Sequence, residues 1–292
     1  MSIRVRKRAP LLIFAFHEFQ QRIRDVRKRE FITKIICFFK KNKNYTTQCQ
    51  GKLVQLKEDG YLMVDNILSP EELESLIKRL KQLNCTDRVR KNLGMFTCDN
   101  IPSVTHVADL NDVVDIPEAI KFANNKDILN IVEGYLGAPP IVDSIMAWWS
   151  IPGFDEAEHE QFYHRDNDAI KFIKLFMYLT DVTETSGPHV FIKGSQRENC
   201  FEERRRFKDE EIETYFDKNS RVEYVGPLGT AFLEDTYGLH KGTLPEKDKR
   251  LLIQVRYSVM PSIFLNKTGT NSPDCLKEMH SHKVNRYLKA PQ

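Results

Sequence analysis

Apolar positions along this chain change period near residue 140. Upstream they recur at helical intervals: Leu12, Phe16, Phe19, Ile23 and Val26 fall at steps of four and three, and Phe31, Ile35 and Phe38 continue the stripe. Arg22, Arg24, Arg27, Lys28 and Arg29 lie mostly elsewhere around the wheel. The pattern predicts a basic amphipathic helix of about 30 residues with room for one break. KNKNYTTQCQGK, residues 41–52, is polar and aperiodic and predicts a linker. It divides a helical extension over residues 1–50 from a domain over 51–292. The domain opens with a strand at Tyr61–Ile67 and a helix running to about Leu83, with Ser69 as N-cap and Pro70 in the first turn. A second helical stretch, 116–136, stops at Gly137-Ala138-Pro139-Pro140.

Beyond Ile141 the pattern shortens to strand lengths: Ile141–Ser150, Phe172–Leu179, His189–Ile192, Val222–Val225, Thr230–Leu233 and Leu251–Val259, with one charged helical insertion at Phe201–Tyr215. Helices first and many short strands afterwards predict a mainly β fold with flanking helices, a double-stranded β-helix (jelly roll, cupin-like) core.

Composition excludes collagenous and low-complexity classes, with 41% hydrophobic and 29% charged residues. Six cysteines at irregular spacing, with no CxxC, indicate neither a zinc ribbon nor a disulfide framework and point to a reducing, cytoplasmic setting. Charge is lopsided. Residues 1–46 hold 13 Lys/Arg against 3 Asp/Glu, leaving 31 against 38 in the remainder of the 44 and 41. The longest apolar run, Leu11–Phe16, falls far short of the ~20 residues that span a bilayer. The basic stripe therefore reads as a packing surface or as a peripheral contact with the inner face of a membrane through residues 1–46. Scarcity of Ser argues against a mitochondrial transit peptide. Nucleic acid is a poor partner, because no reading module accompanies the basic head and the acidic body repels phosphates.

The chemistry concentrates in two segments. His164 and Asp166 stand two apart in QFYHRDND, so an extended backbone aims both at one face; His240 follows in GLHKGT, and Arg250 ten residues later. Two imidazoles and a carboxylate are the donor set of a facial Fe(II) site with open positions. Asp168, on the same face, competes with Asp166 for the ligand role. Arg250, Leu252, Gln254 and Arg256 share a strand face, and either arginine offers the planar fork that grips a carboxylate. Thr243, Tyr178, Trp148 and Gln161 are weaker candidates for the pocket wall. HRD is also a kinase tripeptide, but Lys171 stands where a magnesium-binding Asn is needed and no GxGxxG or DFG is present. His159 and His164 are five apart, which turns them off the common helical face a zincin needs.

YLTDVTETSGPHVFIKGSQ after the HxD, and LKEDGYLMVDNILSPEELESL at residues 56–76, resemble the phytanoyl-CoA dioxygenase family in that family's order. The resemblance spans roughly residues 52–260. It implies an Fe(II)- and 2-oxoglutarate-dependent oxygenase in which His164, Asp166 and His240 hold the metal, O₂ is the second cosubstrate, and Arg250 rather than Arg256 grips 2-oxoglutarate. It also implies hydroxylation of a C–H bond in a small or lipid-linked substrate, with a lipid or lipopolysaccharide-type saccharide compatible with a membrane-facing head. Two other readings stay open: a non-catalytic jelly-roll binding or scaffold protein, and a cupin-like metalloenzyme that does not use 2-oxoglutarate. Intact ligands together with the arginine count against the first, and intact ligands with a non-functional Arg250 would point to the second.

Overall fold

The computed structural model describes residues 11–40, 50–260, 276 and 284–289. Residues 1–10 and the predicted linker as far as residue 49 lie outside this set. At the centre runs β11 (Arg250–Ser258), paired antiparallel with β5 (Ile141–Ser150) on one side and β6 (Phe172–Tyr178) on the other. The sheet continues from β6 through β9 (Ala231–Glu234) to β1 (Tyr61–Val64). From β5 it continues through β4 (Val107–Leu110) and β2 (Cys85–Asp87) to β3 (Met95–Phe96). A smaller sheet of β10 (His240–Gly242), β7 (His189–Ile192) and β8 (Arg221–Tyr224) completes the jelly roll.

Alternation along β11 sorts two layers. Leu251, Ile253, Val255 and Tyr257 face the helices, joining Ile145, Ala147 and Trp149 of β5 and Ile173, Leu175 and Met177 of β6 in the main core. The opposite face holds Leu252 with Trp148, Phe176 and Tyr178, which meet Phe191 and Tyr224 of the small sheet. Arg250, Gln254 and Arg256 also lie on this inner face, so it is half apolar and half charged. At about 1.5–3 kcal/mol per buried aliphatic or aromatic side chain, the outer layer supplies the burial that allows the inner layer its polar groups.

The helices on the outer layer are α3 (Gln50–Asp59), α4 (Pro70–Leu80), α5 (Pro117–Ala123) and α6 (Lys126–Leu136). Ser69 caps α4 in a reciprocal box with Glu72, as its sequence predicts. The stretch 116–136 is two helices, because Asn125 turns its side chain back onto the amides of Asp127 and Ile128 and starts a new one. Within the predicted helix 201–215 only α7 (Asp209–Glu213) is helical, since Phe207 exchanges backbone hydrogen bonds with Tyr163 and holds the segment extended. Residues 50–52 belong to α3 and not to a linker.

The basic stripe breaks once, into α1 (Leu11–Gln20) and α2 (Val26–Lys40), where the Asp25 carboxylate accepts from the Lys28 amide and caps α2. Phe16, Ile23, Ile32, Ile36 and Cys37 pack on the main core, while Phe31, Ile35, Phe38 and Phe39 face outward at 64, 46, 74 and 80% exposure. The corner between α1 and α2 is stitched to the segment after the HxD. Gln20 accepts from the Ile170 amide at 2.8 Å, and buried Arg29 donates to Asn167 at 2.6 Å and to the Ala169 carbonyl at 2.5 Å. The extension thereby supports the loop that carries Asp166 and Asp168.

Candidate active site

His164 and His240 lie opposite each other and exchange backbone hydrogen bonds of 3.0 and 3.1 Å, and the Asp166 amide donates to Thr236 at 2.9 Å. This short antiparallel pairing, between an extended segment and the start of β10, brings residues 76 apart in sequence into one cluster. One donor atom from each of His164, Asp166 and His240 falls within 4.8 Å of the other two. Oδ1 of Asp166 lies 3.8 Å from Nε2 of His164, and Oδ2 lies 3.4 Å from Nε2 of His240.

Each imidazole is held by its own backbone. Nδ1 of His164 meets the Phe162 carbonyl at 2.9 Å and Nδ1 of His240 meets the Gly238 carbonyl at 3.0 Å. A carbonyl only accepts, so Nδ1 carries the proton and Nε2 of the neutral ring offers its lone pair to the cluster. Burial, aided by His240, pushes the His164 pKa well below its usual value and keeps that ring neutral. Burial works to lower His240 also, but the Asp166 carboxylate outweighs it and raises that pKa. Burial opposes ionisation of Asp166, yet Lys174 and His240 hold its pKa well below the usual carboxylate range. The donor set and the free lone pairs fit a divalent metal of the Fe(II) kind.

The cluster opens on a cavity of about 630 Å³ that also exposes Arg250, Gln161, Trp148, Phe176 and Gln254. Arg250 is 2% exposed and donates through Nη2 to Ser150 at 3.1 Å, while Nε and Nη1 have no hydrogen-bond partner. Among the described residues no carboxylate lies within ion-pair distance of it. A buried guanidinium left this way is costly without an anion. Gln161 accepts through Oε1 from the Glu158 amide at 2.7 Å and meets Nδ1 of His106 at 3.2 Å, which leaves its Nε2 unpartnered and buried at the cavity wall.

Of the other sequence candidates, Arg256, Asp168 and Trp148 line the same cavity, and Thr243 and Tyr178 do not. Arg256 lies between two carboxylates, at 2.7 Å from Asp143 and 2.9 Å from Asp168, and has no fork left for a ligand. Asp168, bound to Arg256 and to Lys174 at 3.1 Å, stands outside the donor cluster. Thr243 does not line the cavity; its hydroxyl donates to the Pro188 carbonyl at 2.7 Å. Tyr178 is fully buried beneath Arg250, donating to the Tyr224 carbonyl at 2.9 Å and accepting from the His189 amide at 3.0 Å. Trp148 does line the wall, with the Arg88 guanidinium 4.6 Å from its ring.

Sequence reading misses His189 and Lys174. His189 stacks on His240 with ring centroids 5.5 Å apart, and its Nε2 lies 3.0 Å from fully buried Glu234. Period two in HVFI places His189 inward with Phe191, but nothing in the text indicates that β10 pairs beside it. Burial raises the Glu234 pKa from 4.5 to about 8. A carboxyl raised in this way contributes stability that is complete below about 4.5 and is lost as pH rises through about 8. In metal-free protein, Glu234→Gln should flatten the fall in denaturation midpoint between pH 5 and pH 8.5 (a window of about 3.5 units). An unchanged slope in the variant would remove Glu234 as its cause.

This jelly roll, with two histidines and a carboxylate facing an open cavity, defines a non-haem Fe(II)- and 2-oxoglutarate-dependent oxygenase. The sequence profile of the phytanoyl-CoA dioxygenase (PhyH) family matches residues 56–243, more than half of the chain. The chain belongs to the phytanoyl-CoA dioxygenase family. Among solved structures it is similar to the α-ketoglutarate-dependent epimerase SnoN from nogalamycin biosynthesis, at TM-score 0.53 and 15% identity over 77% of this chain and 92% of that one. It is also similar to iron-bound EctD from S. alaskensis, at TM-score 0.51 and 17% identity over 78% and 84%. HygX from Streptomyces hygroscopicus, solved with nickel, 2-oxoglutarate and hygromycin B, superposes at TM-score 0.50 and 16% identity over 72% and 86%. No curated protein sequence matches significantly.

Proposed function

We propose that this oxygenase hydroxylates a C–H bond of a small or lipid-linked substrate, with His164, Asp166 and His240 holding Fe(II) and Arg250 holding the distal carboxylate of 2-oxoglutarate. The observation that carries this reading is the buried Arg250 fork, with Nε and Nη1 unpartnered, in the same cavity as the three donors. When bound, iron with 2-oxoglutarate and O₂ supplies oxidative decarboxylation to succinate and CO₂, coupled to insertion of one oxygen atom into the substrate. The chain's own residues bind, orient and exclude water. Arg250 fixes the far end of the cosubstrate, Gln161 offers its free amide N–H at the wall, and Trp148 and Phe176 cover the cavity with apolar surface. Remaining space bordered by Asn111, Ser144 and Gln254 suits a substrate rich in hydroxyls. A screen for succinate release across lipid-linked sugars, acyl-CoAs and amino acids tests the reading. Stimulation above uncoupled turnover by one class supports it, and no 2-oxoglutarate consumption under any condition overturns it.

We also infer that the substrate is met at a membrane in the cytoplasm. Exposed Phe31, Ile35, Phe38 and Phe39 form one side of α2, flanked by exposed Arg27, Lys28 and Lys34. No helix among the described residues is long and apolar enough to cross a membrane, so the contact is peripheral. Apolar insertion and attraction of about 1 kcal/mol per basic residue to anionic headgroups favour it together. Deleting the extension would also unsupport the 167–170 loop, so the test substitutes only the outer face. Phe38→Ser with Phe39→Ser should weaken sedimentation with phosphatidylserine vesicles by at least about 100-fold, at about 1.5–3 kcal/mol per ring removed. Equal sedimentation of variant and wild type, or none by the wild type at low salt, leaves α2 as a packing element alone.

A further inference from the structure

Lys174 projects from β6 onto the inner face of the sheet and is 7% exposed. Its Nζ lies 2.5 Å from Oδ2 of Asp166 and 3.1 Å from Oδ2 of Asp168. Beyond Asp168 stand Arg256 and then Asp143, whose second oxygen accepts from the Ser258 hydroxyl at 3.0 Å. Asp166, Lys174, Asp168, Arg256 and Asp143 therefore form a buried ladder of alternating charge, with a metal donor at one end and a sheet-anchored carboxylate at the other. Register explains how the ladder is built: Lys174 of β6 pairs directly with Arg256 of β11. Side chains at paired positions share a face, and each is long enough to reach the carboxylates of the 166–168 segment.

An ion pair whose sole task is stability gains little by being buried, because desolvation offsets the attraction. This pair has a geometric consequence that its burial fixes. A carboxylate can offer a metal one oxygen or two. On an octahedral ion, two imidazoles and one oxygen leave a face of three open positions, enough for a chelating cosubstrate and O₂. Were Asp166 to offer both oxygens, O₂ would have no place. Lys174 holds Oδ2.

We propose that Lys174 is the positioning residue of the metal site, capturing one Asp166 oxygen so that the carboxylate binds the metal through the other alone. Asp168 and Arg256 act behind it by fixing the ammonium. The inference rests on the metal reading above, and its test separates the two.

Co(II) replaces Fe(II) as an air-stable probe whose visible absorption reports coordination number. Outer partners of metal ligands typically contribute 10–100-fold to metal affinity, so Lys174→Met should raise the Co(II) dissociation constant about 10–100-fold. It should also change the absorption spectrum, because Asp166 becomes free to bind through both oxygens. Lys174→Arg, which keeps a charged N–H donor, should return part of the affinity and the wild-type spectrum; a merely structural cation predicts no spectral change. A crystal structure of the Ni(II)-loaded wild-type chain tests the same point without any variant, and the expected result is one Asp166 oxygen on the metal with the other on Lys174. Bidentate Asp166 in that structure, or Lys174→Met with unchanged affinity and spectrum, overturns this inference alone. Failure of the wild-type chain to bind either ion overturns the metal reading and this inference with it.

Discussion

Asp166→Ala removes Fe(II) binding and 2-oxoglutarate turnover while the chain stays folded. The carboxylate is the sole anionic donor in the cluster, and losing it leaves two neutral imidazoles, a set that holds Fe(II) poorly. Since partners one layer behind a ligand already contribute about 10–100-fold, loss of the ligand itself should exceed 100-fold in metal dissociation constant. Folding survives because Lys174 retains Asp168 at 3.1 Å, so no buried ammonium is stranded. Equilibrium dialysis against Fe(II) under anaerobic conditions, with circular dichroism as the folding control, checks both halves. His164→Ala and His240→Ala should behave alike. Full turnover by the Asp166→Ala protein would transfer the ligand role to another carboxylate.

The second large effect separates two arginines that strand periodicity alone cannot rank. Arg250→Ala should weaken 2-oxoglutarate binding by roughly 30-fold to several thousand-fold, since losing a buried charge pair costs about 2–5 kcal/mol at about 1.4 kcal/mol per tenfold. Its stability should hold or rise, because Arg250 has no carboxylate partner among the described residues and its burial lowers its own pKa. Arg250→Lys should recover only part of the affinity, a point charge replacing a fork. Arg256→Ala should do the reverse. It leaves fully buried Asp143 without its cation, while Asp168 keeps Lys174, so about 3–5 kcal/mol of folding stability is lost. Cosubstrate titration and denaturant unfolding of both variants read the contrast, and a larger binding loss at Arg256 would exchange the two roles.

These residues also mark where the sequence stops being informative. Period two along RLLIQVRY places Arg250 and Arg256 on one face and Leu251, Ile253 and Val255 on the other, and the strand is built that way. Choosing between the arginines on physical grounds requires knowing that Asp143, 113 residues away, lies beside Arg256 and that no carboxylate among the described residues reaches Arg250. Such pairing is a property of the sheet, invisible in local text. The HxD and the distal histidine are legible because their donor chemistry is unusual, whereas His189 and Lys174 are ordinary letters in ordinary strands whose meaning comes from register. β2, β3 and β4 escape notice because CTD, MF and VADL show no sustained alternation, and neighbouring strands hold them. The break in the basic stripe had a readable signal in Asp25, a cap residue, masked by apolar spacing that runs on across it.

Anaerobic calorimetric titration of 2-oxoglutarate into the chain, with and without Fe(II), bears most directly on the central claim that the three donors and Arg250 form one cosubstrate site. The account predicts one binding event per chain that requires the metal and is lost in Asp166→Ala and Arg250→Ala alike. Metal-independent binding of equal strength, or no binding to the Fe(II)-loaded wild-type chain, would contradict it and favour a jelly roll that has kept the fold without this chemistry.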